Sequence, residues 1–263
     1  MKLIMCVWVL TIFCISGQGQ IGLTGLLTYG QAFAADPGPW GGSAYTASLS
    51  SGKEFSIGMQ GERLFGTDLS YYEISLISKL KSNGGIGLVL TRKGTEFLSE
   101  SAGSLSWGKQ LGASLHIGVR LGYKLQSAVS YGAESSPVAG LGLGFKINEH
   151  CQWMFQADHL NGFFSKETNM GYRIRTGLGY NFSSVCFGTI EFLAEQNSST
   201  RFIAGLHYKP IDEVSLRFGF ASDMFLVSGS FHYQNFYVGV NASWHMVMGM
   251  SSGLCVSYTF KKG

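Results

Sequence analysis

Charge is scarce in this chain. Asp, Glu, Lys and Arg make up 13% of it, against about a quarter in an ordinary soluble domain. Long apolar runs are missing as well. Beyond residue 19 no window approaches the ~18 continuous apolar residues of a membrane helix, which excludes a helical membrane protein. Proline is rare, with 4 residues in 263. Cysteine is low at 5, with no C-x-x-C pair and no His/Cys cluster at metal spacing, so the sequence points to no metal site and no cofactor.

What is present fits the same picture. Hydrophobic residues reach 45%, aromatic residues 14%, and glycine 37 positions. A chain rich in apolar and aromatic residues, poor in charge and without apolar runs has the composition of a transmembrane β-barrel. A soluble β-sandwich is the alternative, but its outer face normally carries more charge.

Residues 1–19 have the layout of a secretory signal peptide. Lys2 supplies a short positive region, Leu3 to Ile15 is apolar, and Ser16, Gly17 and Gly19 are small residues suited to cleavage. Cys14 raises a lipoprotein reading, but Phe13 is bulky where a small residue is expected. Cleavage removes Cys6 and Cys14 and leaves Cys151, Cys186 and Cys255, an odd set that reads as small wall residues. It also removes Lys2, leaving 18 basic against 16 acidic residues, a balance that implies no nucleic-acid partner. The export signal and the composition together predict an outer-membrane location.

Residues 20–52 differ from the rest. Gly22 to Leu27 is small and apolar, Gln31 to Ala35 could make a helical turn, and Asp36-Pro37-Gly38-Pro39 breaks any regular element. The segment reads either as a periplasmic lead-in or as a plug folded into a barrel mouth. The barrel is expected over residues 53–263.

The clearest strand is Leu111 to Gln126. Leu115, Ile117, Val119, Leu121, Tyr123 and Leu125 alternate with His116, Gly118, Arg120, Gly122, Lys124 and Gln126. A period of two puts these sets on opposite faces of a strand, and the length matches the roughly 9–11 residues of a membrane-spanning strand. The same alternation runs from Glu54 to Phe260. Phe55, Ile57 and Met59 oppose Ser56, Gly58, Gln60 and Glu62; Tyr172, Ile174, Thr176 and Leu178 oppose Arg173, Arg175, Gly177 and Gly179; Phe236, Val238, Val240 and Trp244 oppose Tyr237, Gly239, Asn241 and His245. Ser101 to Trp107 is the least patterned strand, with only Leu105 and Trp107 firm. The last strand ends in aromatic Phe260, like the C-terminal strand that outer-membrane assembly machinery recognises.

The expected fold is therefore all-β: a transmembrane antiparallel up-and-down barrel of about fourteen strands with a short N-terminal plug-like segment. Turns at Lys81–Gly85, Lys109–Gly112, Asn148–His150, Phe182–Ser184, Pro210–Glu213 and Gln234–Asn235 are short and fall on alternate connections, as periplasmic turns should. Longer loops are expected around 91–100, 127–137 and 160–168 on the opposite side.

Charges on such strands must point inward, because Arg or Lys on the lipid face costs ~2–4 kcal/mol at mid-bilayer. The candidate lumen-lining residues are Glu62, Glu73, Arg120, Lys124, Lys146, Asp158, Arg173, Arg175, Glu191, His207, Arg217, His232, Tyr237 and His245. Most are expected to pair and fill the interior. If Arg120, Arg173 and Arg175 gather, they could hold a carboxylate head group. Inward glycines, as at Gly118/Gly122, Gly140/Gly142/Gly144 and Gly177/Gly179, leave room for tight curvature or for a passage, with curvature the favoured reason. No Ser/His/Asp or other catalytic arrangement stands out, so the chain is read as a non-enzyme.

Several fragments carry a family likeness: Phe55-Ser56-Ile57-Gly58 with Glu62-Arg63-Leu64-Phe65, Gly85-Ile86-Gly87-Leu88, Trp107-Gly108-Lys109-Gln110-Leu111-Gly112 leading into Ile117-Gly118-Val119, and Leu141-Gly142-Leu143-Gly144-Phe145. On these the chain resembles the FadL-like outer-membrane barrels, and more closely the PorV-like branch common in Bacteroidetes. The Asn-Pro-Ala-Gly-like turn that ends the family's N-terminal segment is missing near Ser43 to Ser51. The resemblance implies a fourteen-stranded fold. FadL-like membership implies uptake of hydrophobic molecules through a side opening; PorV-like membership implies a role beside the type IX secretion machinery. The expected function is binding or transport of a hydrophobic or amphipathic small molecule; the alternative is an anchor or scaffold of a surface or type IX secretion complex. Outer-membrane lipid is a partner in either case, with a small hydrophobic ligand in the first and secretion-system proteins in the second.

Overall fold

A computed structural model describes residue 33 and residues 38–52, 55–81, 83–129, 132–160, 171–196 and 199–260. The signal-peptide reading, the apolar stretch Gly22 to Leu27 and most of the loop expected at 160–168 lie outside the described residues.

Fourteen antiparallel strands form one closed barrel in which each strand pairs with its sequence neighbours. They are β1 (Phe55–Arg63), β2 (Ser70–Leu80), β3 (Gly84–Gly94), β4 (Leu98–Leu111), β5 (Leu115–Ala128), β6 (Gly132–Lys146), β7 (Cys151–Asp158), β8 (Arg173–Ser183), β9 (Cys186–Glu195), β10 (Arg201–Ile211), β11 (Val214–Ala221), β12 (Met224–Tyr233), β13 (Phe236–His245) and β14 (Gly249–Phe260). The seam is closed by β1 and β14, from Phe55 opposite Phe260 to Arg63 opposite Ser252. Closure leaves no unpaired edge, the condition for crossing a bilayer with strands.

The register places the alternating sets as their chemistry requires. Leu105, Leu121 and Leu254 face outward with at least 60% of their surface exposed, whereas inward Ser75, Ser106 and Ser251 are buried. The exposed apolar belt is the surface that lipid covers. No helix among the described residues is long and apolar enough to cross a membrane, and the strands do the spanning.

Two expected loops are strand instead. β3 runs to Gly94 and β4 starts at Leu98, so 91–100 is mostly ladder; β5 runs to Ala128 and β6 starts at Gly132, so 127–137 is too. Their polar sequences follow from height: these strands rise beyond the apolar belt, where both faces meet water. β7 ends at Asp158 and β8 starts at Arg173, with residues 161–170 between them outside the described ones. The barrel wall is therefore tall at β4–β6 and lower at β7 and β11.

A short helix α1 (Gly38–Ala44) and a 3-10 helix η1 (Thr46–Ser51) lie inside the barrel. Trp40, Tyr45, Ala47 and Leu49 are almost wholly buried. The inward glycines form their bed. A Cβ at Gly118 or Gly142 would run into Thr46, one at Gly85 or Gly108 into the backbone of η1, and one at Gly177 or Gly179 into Phe33. For Gly118, Gly142, Gly177 and Gly179 this corrects the expectation of curvature, whereas Gly122 and Gly140 meet only neighbouring strands. The first four clear the wall so that the N-terminal segment can lie against it, a use of glycine for close backbone approach.

Candidate functional site

The plug is held by side chains from distant strands. Thr46 donates from its backbone N–H (3.0 Å) and its hydroxyl (2.9 Å) to Gln156 Oε1 on β7. The Tyr45 hydroxyl donates to Glu191 Oε2 on β9 at 2.8 Å. The guanidinium of Arg175 lies 5.8 Å over the Tyr45 ring and 3.7 Å from Glu191. Ser75 on β2 donates to the Pro39 carbonyl. Trp40 packs on Tyr237 with ring centroids 5.4 Å apart.

Arg120 on β5 joins plug and wall. Its Nη2 donates to the carbonyls of Gly42 (2.7 Å) and Ser43 (2.8 Å). Its Nη1 donates to both Asp158 oxygens at 3.1 and 3.2 Å, and its Nε reaches Ser106 Oγ at 3.3 Å. Asp158 also accepts from Gln156 Nε2 at 2.8 Å. The guanidinium fork thus binds a carboxylate and the last turn of α1 together, a planar task for which Lys would be a poor substitute.

Above this contact, toward the rim opposite the short turns, lies a cavity of about 160 Å³. Its floor is Ser43 and Ala44 of the plug; Glu73, Glu100, Arg120, Lys124, Asp158, His159, Arg173 and Arg175 supply its charged and titratable lining, and Tyr71, Val89, Tyr123 and Val138 its apolar patches. The ions are largely paired. Lys124 meets Glu100 at 2.7 Å, and Arg173 meets Glu195 at 2.5 Å. Glu73 accepts from Gln60 at 2.9 Å and from the Tyr71 hydroxyl.

Of the residues singled out from sequence, Glu73, Arg120, Lys124, Asp158, Arg173 and Arg175 meet around this cavity, and Glu191 stands beside it under Tyr45. A second inward group lies on β10–β13. Arg217 donates to the Tyr237 hydroxyl at 2.7 Å, His232 stacks edge-on against Tyr237, and His207 against Phe187. Glu62 is buried on β1 outside the cavity.

Two expectations need correction. Lys146 sits exposed at the short-turn rim, because β6 ends there. His245 fastens a turn rather than lining a space. Its Nδ1 accepts from the backbone N–H of Val247 and Met248, each at 3.1 Å, which leaves Nε2 to donate to Asp223 at 3.1 Å.

Sequence reasoning missed Glu100 and Glu195, which are inward once β4 and β9 are given their full length. It also missed an apolar cap at the far rim. Leu64, Tyr71, Ile203, Ala221 and Met224 form a buried cluster, with Phe65, Leu69 and Leu226 packed on it. Leu64 and Phe65 belong to the β1–β2 loop, where Phe65 (φ 56°) and Gly66 (φ 62°) bend the chain over the mouth. The Leu64 N–H bonds to the Leu69 carbonyl at 2.8 Å, and the Phe65 N–H to Ser251 Oγ at 2.9 Å. The cavity is thus bounded below by the plug, while the cap closes the β1–β2 and β10–β12 side of the mouth.

No protein-family model and no curated protein sequence matches the chain. Solved structures do. The Ralstonia pickettii toluene transporter TbuX superposes with a TM-score of 0.65 at 10% identity, over 86% of this chain and 95% of that one. A Pseudomonas aeruginosa FadL homologue gives 0.66 at 9% identity, over 95% and 100%. The P. putida toluene transporter TodX gives 0.59 at 11% identity, over 94% and 96%. At these identities the likeness establishes the fold: a fourteen-stranded barrel of the outer-membrane type, shared with FadL-like proteins.

Proposed function

We propose that this chain is an outer-membrane channel that binds an amphipathic small molecule, with an acidic head and an apolar body, in the cavity between plug and cap. The observation that carries this reading is the gathering of Arg120, Lys124, Arg173 and Arg175 around one cavity that also has apolar walls. Each of the four already meets a carboxylate, of Asp158, Glu100, Glu195 and Glu191 in turn, so an entering acid head would share its cation with that resident partner. A carboxylate entering the cavity would gain charge-assisted hydrogen bonds.

The structural neighbours include toluene transporters, and the shared fold supports passage of a hydrophobic molecule. The lining argues for a different cargo from a bare hydrocarbon. Seating an aromatic hydrocarbon against ionised side chains would strip them of polar contacts and give none back. An apolar tail attached to an anionic head avoids that loss.

The pairing of nearly every lumen ion favours a second reading, a filled barrel that anchors a surface or type IX secretion complex. Native mass spectrometry of protein extracted gently from its own membrane separates the two. A bound acidic lipid or fatty acid, lost in Arg175→Gln, is the expected result. An empty barrel that co-purifies with a protein partner would replace the channel with the scaffold.

A further inference from the structure

Glu62 is the last inward residue of β1, and only 3% of its surface is exposed. Neither of its carboxylate oxygens has a hydrogen-bond partner among the described residues. In the ladder it stands opposite Gly253 of β14, and Gly253 stands opposite Asn241 of β13. Asn241 is buried too, and neither its oxygen nor its nitrogen has a partner among the described residues. Ser243, the next inward residue on β13, repeats the pattern with its buried hydroxyl.

Gly253 lets these groups come close together. A Cβ there would stand 2.7 Å from Asn241 Oδ1, 2.7 Å from the Gly61 carbonyl and 3.2 Å from Glu62 Cβ. The missing side chain therefore lets oxygen atoms from two strands and the Glu62 stem close in over one Cα. This cluster lies beneath the apolar cap. Tyr71, opposite Glu62 in the β1–β2 ladder, belongs to that cap and directs its hydroxyl to Glu73. The basic residues of the cavity pair with Asp158, Glu100, Glu195 and Glu191, so none of these ion pairs neutralises Glu62.

A buried carboxylate without compensation is among the costliest arrangements in a protein. Protonation would remove the charge and supply one O–H donor, too few for both the Asn241 and the Ser243 oxygen. A bound cation would engage the oxygens of all three side chains, though not the Asn241 amide NH2. The available donors are carboxylate, amide and hydroxyl oxygens, the set preferred by hard cations. We propose that Glu62, Asn241 and Ser243 form a binding site for a hard metal cation under the cap, separate from the arginine-lined cavity. With one carboxylate the affinity should resemble that of extracellular calcium modules, on the order of 10⁻⁴–10⁻³ M, which suits a site at the outward mouth.

The test is equilibrium dialysis of the full chain, stripped with chelator in non-ionic detergent, against calcium chloride. The wild-type chain should take up one saturable calcium ion. Glu62→Gln should weaken uptake at least tenfold, and Ser243→Ala, which keeps the carboxylate, by less. Asp68→Asn, at an exposed carboxylate of the β1–β2 loop, should change nothing. Folding of each variant is checked by its heat-dependent gel shift, and calcium should raise the melting temperature of the wild-type chain whether or not the variants fold. No uptake by the wild type at millimolar calcium, or equal uptake by Glu62→Gln, would overturn the proposal.

Discussion

Arg120 and Asp158 face each other across two strand pairings, 3.1 Å apart and both nearly buried, with the end of α1 held between guanidinium and wall. A buried pair of this kind is weak evidence for net stability, but breaking it is costly because the surviving charge is left alone. The usual loss is ~3–5 kcal/mol. Arg120→Leu should release residues 38–52 while the barrel stays closed. Hydrogen exchange should rise in that segment, with the strands protected as before. Simultaneous loss of strand protection would mean that Arg120 holds the wall and not the plug.

The glycine bed gives a test with no charge involved. Gly142→Val should unseat η1, because its side chain would occupy the place of Thr46 and press on Gln156. Gly229→Ala meets only Leu216 at 3.8 Å, an ordinary contact, and should be neutral. Limited proteolysis should cut near Leu49 in the first variant and spare the second.

Tyr45 and Glu191 make a third pair. Tyr45→Phe removes a hydroxyl that donates to Glu191 Oε2 and costs about 1–3 kcal/mol. Glu191→Gln can still accept that hydroxyl and should cost less. Chemical-denaturation midpoints of the two variants in detergent decide the order.

The cap should govern entry. Leu64→Ala opens a fully buried site, with a local loss of ~2–5 kcal/mol. Proteoliposomes carrying this variant should admit small solutes faster than wild type. Unchanged permeability would move the barrier to the plug alone.

The lipid belt predicts an asymmetry between faces. Val119→Arg should impair membrane assembly, at ~2–4 kcal/mol for a mid-bilayer charge. Ser104→Arg points into the cavity and should be tolerated better. Equal defects would contradict the register of β4 and β5.

Much of this was legible in the sequence. Residues 115–125 announce a strand, a face and a membrane because lipid on one side and a polar interior on the other enforce a strict period of two. The same rule put Arg120, Arg173 and Arg175 inside. It could not say that they meet, since β5 and β8 come together only through barrel closure and shear. Gly118 and Gly142 were visible as inward glycines, but a glycine reads alike whether the wall bends or something lies on it. Ile203 and Met224 escaped notice because a single apolar residue on a polar face looks like noise until the Leu64 loop lands on it. Lys146 was misplaced because alternation gives a face and says nothing of height.

The tether between plug and barrel limits what opening can mean. Ser51 ends η1 and Phe55 begins β1, so three residues span the gap, at most about 14 Å from Cα to Cα fully extended. The plug behaves as a bolt chained to its own door. It can pivot on its last turn and draw Trp40 out of the wall, but that last turn must stay near the β1–β14 seam. Any passage this protein opens is a gap beside a captive plug, and its width is set by the length of that chain.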